Sequence, residues 1–286
     1  MEQQAAAGLV TREGAGWRLV DGADGVLADP DDPHHLAPLA RQLVSIAAHV
    51  PDIAAGARTG HGLAWSAFGA DMRESQADLN RPGFLGPLGT TWLPAIPAVH
   101  ERLVGGARVA DVGCGEAWSS IGIAQAYPAA RVDAFDLDPA SIAAAQLHVV
   151  DRGLESRVVP RLQDVADLTD DRYDLVTAFE CLHDFAFPVE ALRAMRGVLA
   201  EDGMVLVADM RTEDEVALPA GDVERLLFGW SIGVCLPDAM ATPGSAMTGT
   251  VMRPAALRAA AEEAGFSSIE DTRVEHDLWR FWLLRP

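Results

Sequence analysis

The stretch Val109-Ala110-Asp111-Val112-Gly113-Cys114-Gly115-Glu116-Ala117 decides the fold of this chain of 286 residues. The apolar lead-in from Ala107 to Val112 is typical of a buried parallel strand, and the apolar spacing from Trp118 to Tyr127 predicts a helix directly after the turn. Glycines at positions 113 and 115 let the backbone turn sharply and let a ligand lie against it. In an open α/β sheet, ligands bind at this carboxyl end of the strands. We therefore expect a ligand site at this turn.

The residues around the turn indicate what the ligand carries. A dinucleotide-binding turn has a third glycine, whereas Ala117 and Trp118 follow here, which disfavours a dehydrogenase. The carboxylate of Asp111 would repel a pyrophosphate, yet it can accept hydrogen bonds from an ammonium group. A second predicted strand, Arg131 to Phe135, delivers Asp136, whose carboxylate can bind both hydroxyls of a ribose. An amino-acid end and a ribose together indicate S-adenosylmethionine.

Five motifs, in order, resemble those of the class I S-adenosylmethionine-dependent methyltransferases. They are DVGCG (111–115), DAFDLDP (133–139), QDVADL (163–168), YDLVTAFECLHDF (173–185) and LAEDGMVLVAD (199–209). The resemblance covers about residues 107–286 and implies the Rossmann-like, doubly wound sheet of seven strands that these enzymes share. It implies S-adenosylmethionine as cofactor, contacted by Asp111, Gly113, Cys114, Gly115, Asp136, Leu137, Asp164, Val165, Phe179 and Glu180. In this assignment, Asp164 faces the adenine amino group, and Phe179 and Glu180 lie at the methionyl end.

Four further stretches resemble a bacterial subgroup of these enzymes that carries an N-terminal winged-helix domain. They are NRPGFLG (80–86), GCGEAWSSIGIAQAYP (113–128), LHDFAFPVEALRAMR (182–196) and CLPDAMATPGSAMTGTVMRP (235–254). This resemblance implies a small-molecule methyltransferase that is often dimeric. Residues 2–21 resemble only the last helix and the wing of such a domain, so we expect a truncated winged-helix remnant.

The fourth motif contains a candidate general base. If the acceptor is a hydroxyl, its proton must leave, and a neutral imidazole can take it. The LHDF stretch resembles the His-Asp pair of small-molecule O-methyltransferases, which implies catalytic roles for His183 and Asp184. His183 as a wall of the pocket is the alternative. O-methylation of a small, apolar or aromatic acceptor is the favoured reaction, and a regulator that senses S-adenosylmethionine without transferring its methyl group is the rival function.

The chain divides into two predicted parts. Residues 1–100 contain the winged-helix remnant, an acidic linker at 21–33 and a helical cap over the substrate, with helices predicted at 34–50 and 68–79. Residues 101–286 form the cofactor-binding domain, in which strands and helices alternate. Residues 211–250 interrupt this alternation and are long enough to form a lid. Two antiparallel strands, at 267–274 and 277–284, are expected to close the sheet.

Composition narrows the possible partners. The net charge is −20, with 42 acidic residues against 22 basic residues that are all arginine. Such a charge repels polyanions, so we expect no nucleic-acid partner. We expect no membrane partner either, because no apolar run reaches the length of a membrane-spanning helix, and we expect a cytoplasmic homodimer. Cys114, Cys181 and Cys235 are too widely spaced for a zinc motif or a disulfide framework, and we expect no metal.

Overall fold

The computed structural model describes residues 1–169 and 172–286. Its strands are β1 (Val10–Glu13), β2 (Gly16–Leu19), β3 (Arg108–Val112), β4 (Arg131–Asp136), β5 (Val158–Leu162), β6 (Tyr173–Phe179), β7 (Leu199–Met210), β8 (Ser268–Asp271) and β9 (Trp279–Arg285). Its α-helices are α1 (Glu2–Ala6), α2 (Ala23–Leu27), α3 (Pro38–Thr59), α4 (Gly69–Leu85), α5 (Pro97–Val104), α6 (Trp118–Ala126), α7 (Pro139–Asp151), α8 (Pro188–Gly197), α9 (Asp222–Trp230), α10 (Leu236–Ala241) and α11 (Pro254–Glu263).

The described residues contain a seven-stranded sheet in the order β5-β4-β3-β6-β7-β9-β8. Strands β3 to β7 run parallel, whereas β9 is antiparallel to both β7 and β8. The strand order reverses between β3 and β6, so the loops after these two strands diverge and leave a crevice at their carboxyl ends. This confirms the predicted Rossmann-like, doubly wound α/β fold.

The sheet is covered on both faces, because alternate side chains of each strand enter different cores. Val109 of β3 and Leu175 of β6 pack with α5 and α6 in one core. Ala110 and Val176, the next residue of each strand, pack with α8 and α11 in the other core. Strands buried on both faces read as continuous apolar runs, and this explains why the sequence located them well.

Helix α4 packs closely against α6, and this contact positions α4 as one wall of the crevice. A Cβ atom added to Gly122 of α6 would meet the carbonyl oxygen of Phe84 at 2.0 Å. Glycine at this position therefore lets the two helix backbones approach each other. The approach brings one face of α4 over the loops that follow β3, β4 and β6.

The N-terminal part differs from prediction mainly in the lengths of its helices. The predicted helix at 34–50 begins at Pro38 and continues through Pro51 to Thr59, and the predicted helix at 68–79 continues through Pro82 to Leu85. Packing between α3 and α4 sustains both helices beyond the points where local sequence alone favours an end. The short helix α1 and the antiparallel β1–β2 hairpin lie where a helix and a hairpin were expected, and their assignment to a winged-helix domain remains a prediction. Helix α2 lies inside the predicted linker.

The segment 211–250 contains α9, a wide helical turn at Ser231–Cys235 and α10. Its role as a lid and the division of the chain near residue 100 remain predictions. Among the residues that the structure describes, no helix combines the length and apolar character needed to cross a membrane.

Candidate active site

The turn after β3 contains two glycines that serve different purposes. Gly113 has a φ of +65°, and a Cβ atom there would lie 2.7 Å from the sulfur of Cys181. Gly115 also has a positive φ, of +53°, but a Cβ atom there would meet nothing within 4 Å. Gly113 is therefore required by packing, whereas Gly115 leaves open space beside the backbone. A ligand can therefore lie against the backbone at Gly115 without meeting a side chain, and which part of the cofactor does so remains a prediction.

The carboxylate of Asp136 joins two loops at the crevice. Its Oδ2 accepts a hydrogen bond from the Gly115 amide at 2.8 Å, and its Oδ1 accepts one from the Asp138 amide at 2.8 Å. Burial raises the pKa of Asp136, and these backbone hydrogen bonds only partly oppose the rise. Asp136 thus lies at the end of β4, where the sequence placed a ribose ligand, and contact with ribose remains a prediction.

The carboxylate of Asp111 is bound within the fold. It accepts hydrogen bonds from Ser119 and Ser120 at 2.6 Å each and from Thr177 at 2.7 Å. Only 1% of the residue is exposed, and burial raises its pKa despite the three hydroxyl donors. These contacts hold the start of α6 and strand β6 against β3. The predicted hydrogen bond from Asp111 to an ammonium group is not tested by them.

The predicted adenine side of the crevice contains Leu137, Asp164 and Val165. Leu137 is 64% exposed, which leaves an apolar surface beside the Asp136 loop. Asp164 caps its own short helical turn, since its Oδ1 accepts a hydrogen bond from the Ala166 amide at 2.9 Å. Its other oxygen is not used in that cap. Val165 packs against the core that contains α8.

The predicted methionyl side of the crevice contains Cys114, Phe179 and Glu180. Cys114 is a buried free thiol, and Phe179 packs near Phe84 with 5.9 Å between ring centroids. Glu180 has a φ of +57°, a conformation that is uncommon for a residue with a side chain and often marks a functional site. Its location directly after β6 places it at the crevice.

Helix α4 supplies partners for Glu180 that the sequence did not reveal. Asn80 and Gln76 donate hydrogen bonds to its Oε2 at 2.5 Å and 3.2 Å. Burial raises the pKa of Glu180 to about 7, against the opposing effect of the Asn80 hydrogen bond. Because these donors are separated from Glu180 by about a hundred residues, no local pattern could have identified them.

His183 lies in the loop after β6 and is only 2% exposed. Its Nδ1 is 2.5 Å from Oδ1 of Asp209, and its backbone amide donates to Oδ2 of the same carboxylate at 3.1 Å. Its Nε2 is 3.4 Å from Oδ1 of Asp184. Burial alone would lower the pKa of His183, but the carboxylates of Asp184 and Asp209 outweigh it and raise the pKa well above its ordinary value.

Asp209 was missing from the predicted site, although it is the last residue of the fifth motif, LAEDGMVLVAD. The available signal was an acid at the carboxyl end of β7, the strand that neighbours β6 in the sheet. Cys235, in the 211–250 segment, was also missing. Its sulfur lies with the ligand-type atoms of His183 and Asp184 in a group within 4.8 Å of one another. The segment therefore covers the Nε2 side of the imidazole.

Comparisons with known proteins identify the family of this chain. Residues 103–229 match a family model described as a methyltransferase domain. The chain is 30% identical over 187 residues to the ubiquinone biosynthesis O-methyltransferase of Xanthomonas euvesicatoria pv. vesicatoria, spanning 64% of this chain and 72% of that protein.

Solved structures share the fold over nearly the whole chain. An O-methyltransferase family protein from Burkholderia thailandensis superposes with a TM-score of 0.72 and 17% identity, covering 99% of this chain and 81% of that one. Human N-acetylserotonin methyltransferase, solved in complex with S-adenosylmethionine, gives a TM-score of 0.69 and 16% identity, with 99% and 81% coverage. The ordered motifs, the sheet and the curated relative together show that the chain belongs to the class I S-adenosylmethionine-dependent methyltransferases.

Proposed function

We propose that this enzyme transfers the methyl group of S-adenosylmethionine to a hydroxyl oxygen of a small molecule, with His183 as general base. The observation that carries the proposal is the contact between Nδ1 of His183 and Asp209 at 2.5 Å, at the carboxyl end of β6. The name of the Xanthomonas relative, an O-methyltransferase, supports oxygen as the methylated atom.

The Asp209 carboxylate fixes how the imidazole acts. Because it accepts the proton on Nδ1, the neutral ring carries its lone pair on Nε2. This nitrogen can remove the proton of an acceptor hydroxyl, and Asp209 then stabilises the imidazolium that forms. Asp184 lies on the Nε2 side and adds a second negative charge near the same ring. We propose that Asp184 helps to position the acceptor hydroxyl.

The predicted cofactor residues belong to the loops after β3, β4, β5 and β6, and this order supports the following assignment. We propose that Asp164, Val165 and Leu137 contact the adenine, that Asp136 binds the ribose hydroxyls, and that the turn containing Cys114 carries the methionyl chain. The bound cofactor supplies an electrophilic methyl group. The task of the protein is then to hold the acceptor oxygen in line with that methyl group and to exclude water.

The acceptor space lies between the β6 loop and the 211–250 segment. Buried apolar side chains of this segment include Leu227 and Val234. Phe185 is partly buried against the core that contains α8 and α11. These three apolar side chains favour an apolar or aromatic acceptor. The net charge of −20 disfavours nucleic acid as the acceptor.

Methyl transfer can be tested without knowing the acceptor. The purified protein is incubated with a bacterial metabolite extract and S-adenosylmethionine that carries a trideuterated methyl group. We expect mass spectrometry to show a small molecule that gains this label on oxygen, together with S-adenosylhomocysteine. Cofactor binding without transfer to any extract component would favour the regulator, and label on nitrogen or carbon would overturn O-methylation.

We also propose that the protein is a cytoplasmic homodimer. Three buried free thiols suit a reducing compartment. Several large apolar side chains of the N-terminal part are exposed, and such a surface is typical of an interface. They are Leu9, Leu19, Leu27, Leu36, Leu43, Val44 and Val50. Light scattering at low micromolar concentration is expected to give the mass of a dimer, and a monomer would contradict this proposal.

A further inference from the structure

Helix α4 presents three polar side chains on one face, over the crevice. Arg73, Gln76 and Asn80 follow the i, i+3, i+7 spacing that places residues on one side of a helix. Gln76 and Asn80 bind Glu180 at the end of β6, as described above. Arg73 lies further toward β4, where its nearest ion-pair contact is Oδ2 of Asp138 at 4.0 Å. The helix therefore spans the loops after β4, β3 and β6.

Arg73 is poorly paired for an arginine that is only 22% exposed at its side chain. Its neighbour Asp138 already caps helix α7, because Oδ2 of Asp138 accepts hydrogen bonds from the amide and the hydroxyl of Ser141 at 3.0 Å and 2.7 Å. The acids Glu74 and Asp78 on α4 form ion pairs with Arg41. A guanidinium offers five donors in a planar fork, so most of the donor capacity of Arg73 is unused.

Glu116 lies in the turn after β3, and its carboxylate also lacks a hydrogen-bonding partner among the described residues. Its side chain is only 8% exposed, and its nearest charged contact is Nδ1 of His148, 3.8 Å from Oε2. No described residue donates a hydrogen bond to its carboxylate. Burial, together with the nearby carboxylate of Asp78, raises the pKa of Glu116 to about 7, while the charge of Arg73 opposes the rise. Arg73 is thus close enough to act on Glu116, although the two do not form an ion pair.

Arg73 is half-buried, Glu116 is buried, and both side chains have unused hydrogen-bonding capacity. A cation and an acid that influence each other by charge suit a group that is itself a zwitterion, with a carboxylate for the guanidinium and an ammonium for the acid. We propose that Arg73 and Glu116 form the receptor for the amino-acid end of the cofactor, Arg73 binding its carboxylate and Glu116 its ammonium group.

The alternatives predicted from sequence for the ammonium contact already have partners. Asp111 accepts three hydroxyl hydrogen bonds, and Glu180 accepts two amide hydrogen bonds from α4. Glu116 has neither. It also lies one residue after Gly115, whose backbone borders open space. The inference rests on the cofactor of the proposed reaction and is independent of the acceptor.

A comparison of two ligands measures the contribution of the amino-acid end to binding. S-adenosylhomocysteine carries it, whereas 5′-methylthioadenosine has the same adenine, ribose and thioether without it. For Arg73→Ala and Glu116→Gln, we expect calorimetry to show S-adenosylhomocysteine binding weakened about tenfold or more, because each variant loses charge-assisted hydrogen bonds. Binding of 5′-methylthioadenosine is expected to stay within about twofold of the wild type.

Arg285→Ala is the matched control, because it removes an arginine whose ion pair with Glu270 joins β9 and β8 at the edge of the sheet, on the other side of β7 from β3 and β4. It is expected to leave both affinities nearly unchanged. Thermal unfolding of each variant checks that the fold is retained, and Arg73→Gln replaces Arg73→Ala if the latter does not fold. The proposal is overturned if either site variant binds S-adenosylhomocysteine like the wild type, or if it weakens both ligands equally. None of these outcomes depends on whether a hydroxyl acceptor is methylated.

Discussion

Replacing Asp209 with Asn removes the charge that holds the imidazole of His183 while keeping the shape of the side chain. The wild-type carboxylate accepts both the Nδ1 proton and the backbone amide of His183. The single oxygen of an Asn side chain can face only one of these donors, so the other would face an NH₂ group. The substitution therefore weakens the stabilisation of the imidazolium.

The size of the effect follows from the contact that is lost. A hydrogen bond to a charged partner contributes about 1.5–3 kcal/mol, and one pKa unit corresponds to about 1.4 kcal/mol. The pKa of His183 lies above its ordinary value in the wild type, despite burial, because of Asp184 and Asp209. We therefore expect Asp209→Asn to lower this pKa by about one to two units.

The assay is an NMR titration of protein labelled at histidine, in which the His183→Gln variant identifies the His183 resonance. The direction is fixed by linkage: a carboxylate favours the protonated ring, so its removal moves the titration to lower pH. Glu180→Gln serves as a control, because Glu180 also acts on His183 by charge but does not bind Nδ1. An unchanged or raised pKa of His183 in Asp209→Asn would refute the role assigned to Asp209.

Three further predictions concern the crevice. Asp136→Ala is expected to bind S-adenosylhomocysteine about tenfold more weakly by calorimetry, and unchanged affinity would remove Asp136 from the ribose site. Gly113→Ala is expected to lose about 2–4 kcal/mol in urea unfolding, because backbone strain adds to the overlap with Cys181, whereas Gly115→Ala loses about 1–2 kcal/mol from strain alone. Equal losses would contradict this distinction. Because burial raises the pKa of Glu180 from 4.5 to about 7, the folded state binds the extra proton in this range, and stability should fall as pH rises from about 4.5 to 7. Urea unfolding should show a fall on the order of 1–3 kcal/mol that Glu180→Gln lacks, and parallel curves for the two proteins would be the contrary result.

Local sequence was sufficient where burial alone decides the structure. The predicted strand at 107–112 coincides with β3, Arg108–Val112, to within one residue, because its side chains are buried on both faces. The helices of the N-terminal part were predicted less well. Pro51 favours a helix end, yet α3 continues past it, since packing against α4 compensates for the missing hydrogen bond.

The hydrogen-bonding partners of site residues can be predicted from the sequence only where the two residues are close in the chain or where the strand order is known. Ser119 and Ser120 begin the helix that follows Asp111, so their hydrogen bonds to it are local. Thr177 reaches Asp111 because the two residues are paired in the parallel register of β3 and β6. Asp209 depends in the same way on β7 lying beside β6. Arg73 depends on how α4 crosses the crevice, which no local pattern specifies.

Removal of the acceptor proton by His183 is the central claim, and it is tested most directly by the pH dependence of methyl transfer. The acceptor identified by the labelled-methyl experiment is used at saturation, with the wild type and His183→Ala compared. Because the carboxylates of Asp184 and Asp209 raise the pKa of His183, the wild-type rate is expected to rise with pH as the imidazole loses its proton. Where the imidazole is neutral, the variant is expected to be about a hundredfold slower or more, with unchanged affinity for S-adenosylhomocysteine. As the pH approaches the pKa of the acceptor hydroxyl, this difference should shrink, because the ionised acceptor needs no base. A variant that equals the wild type at a pH where His183 is neutral and the acceptor is not ionised, or that stays equally impaired when the acceptor is ionised, would contradict the role of His183 as general base.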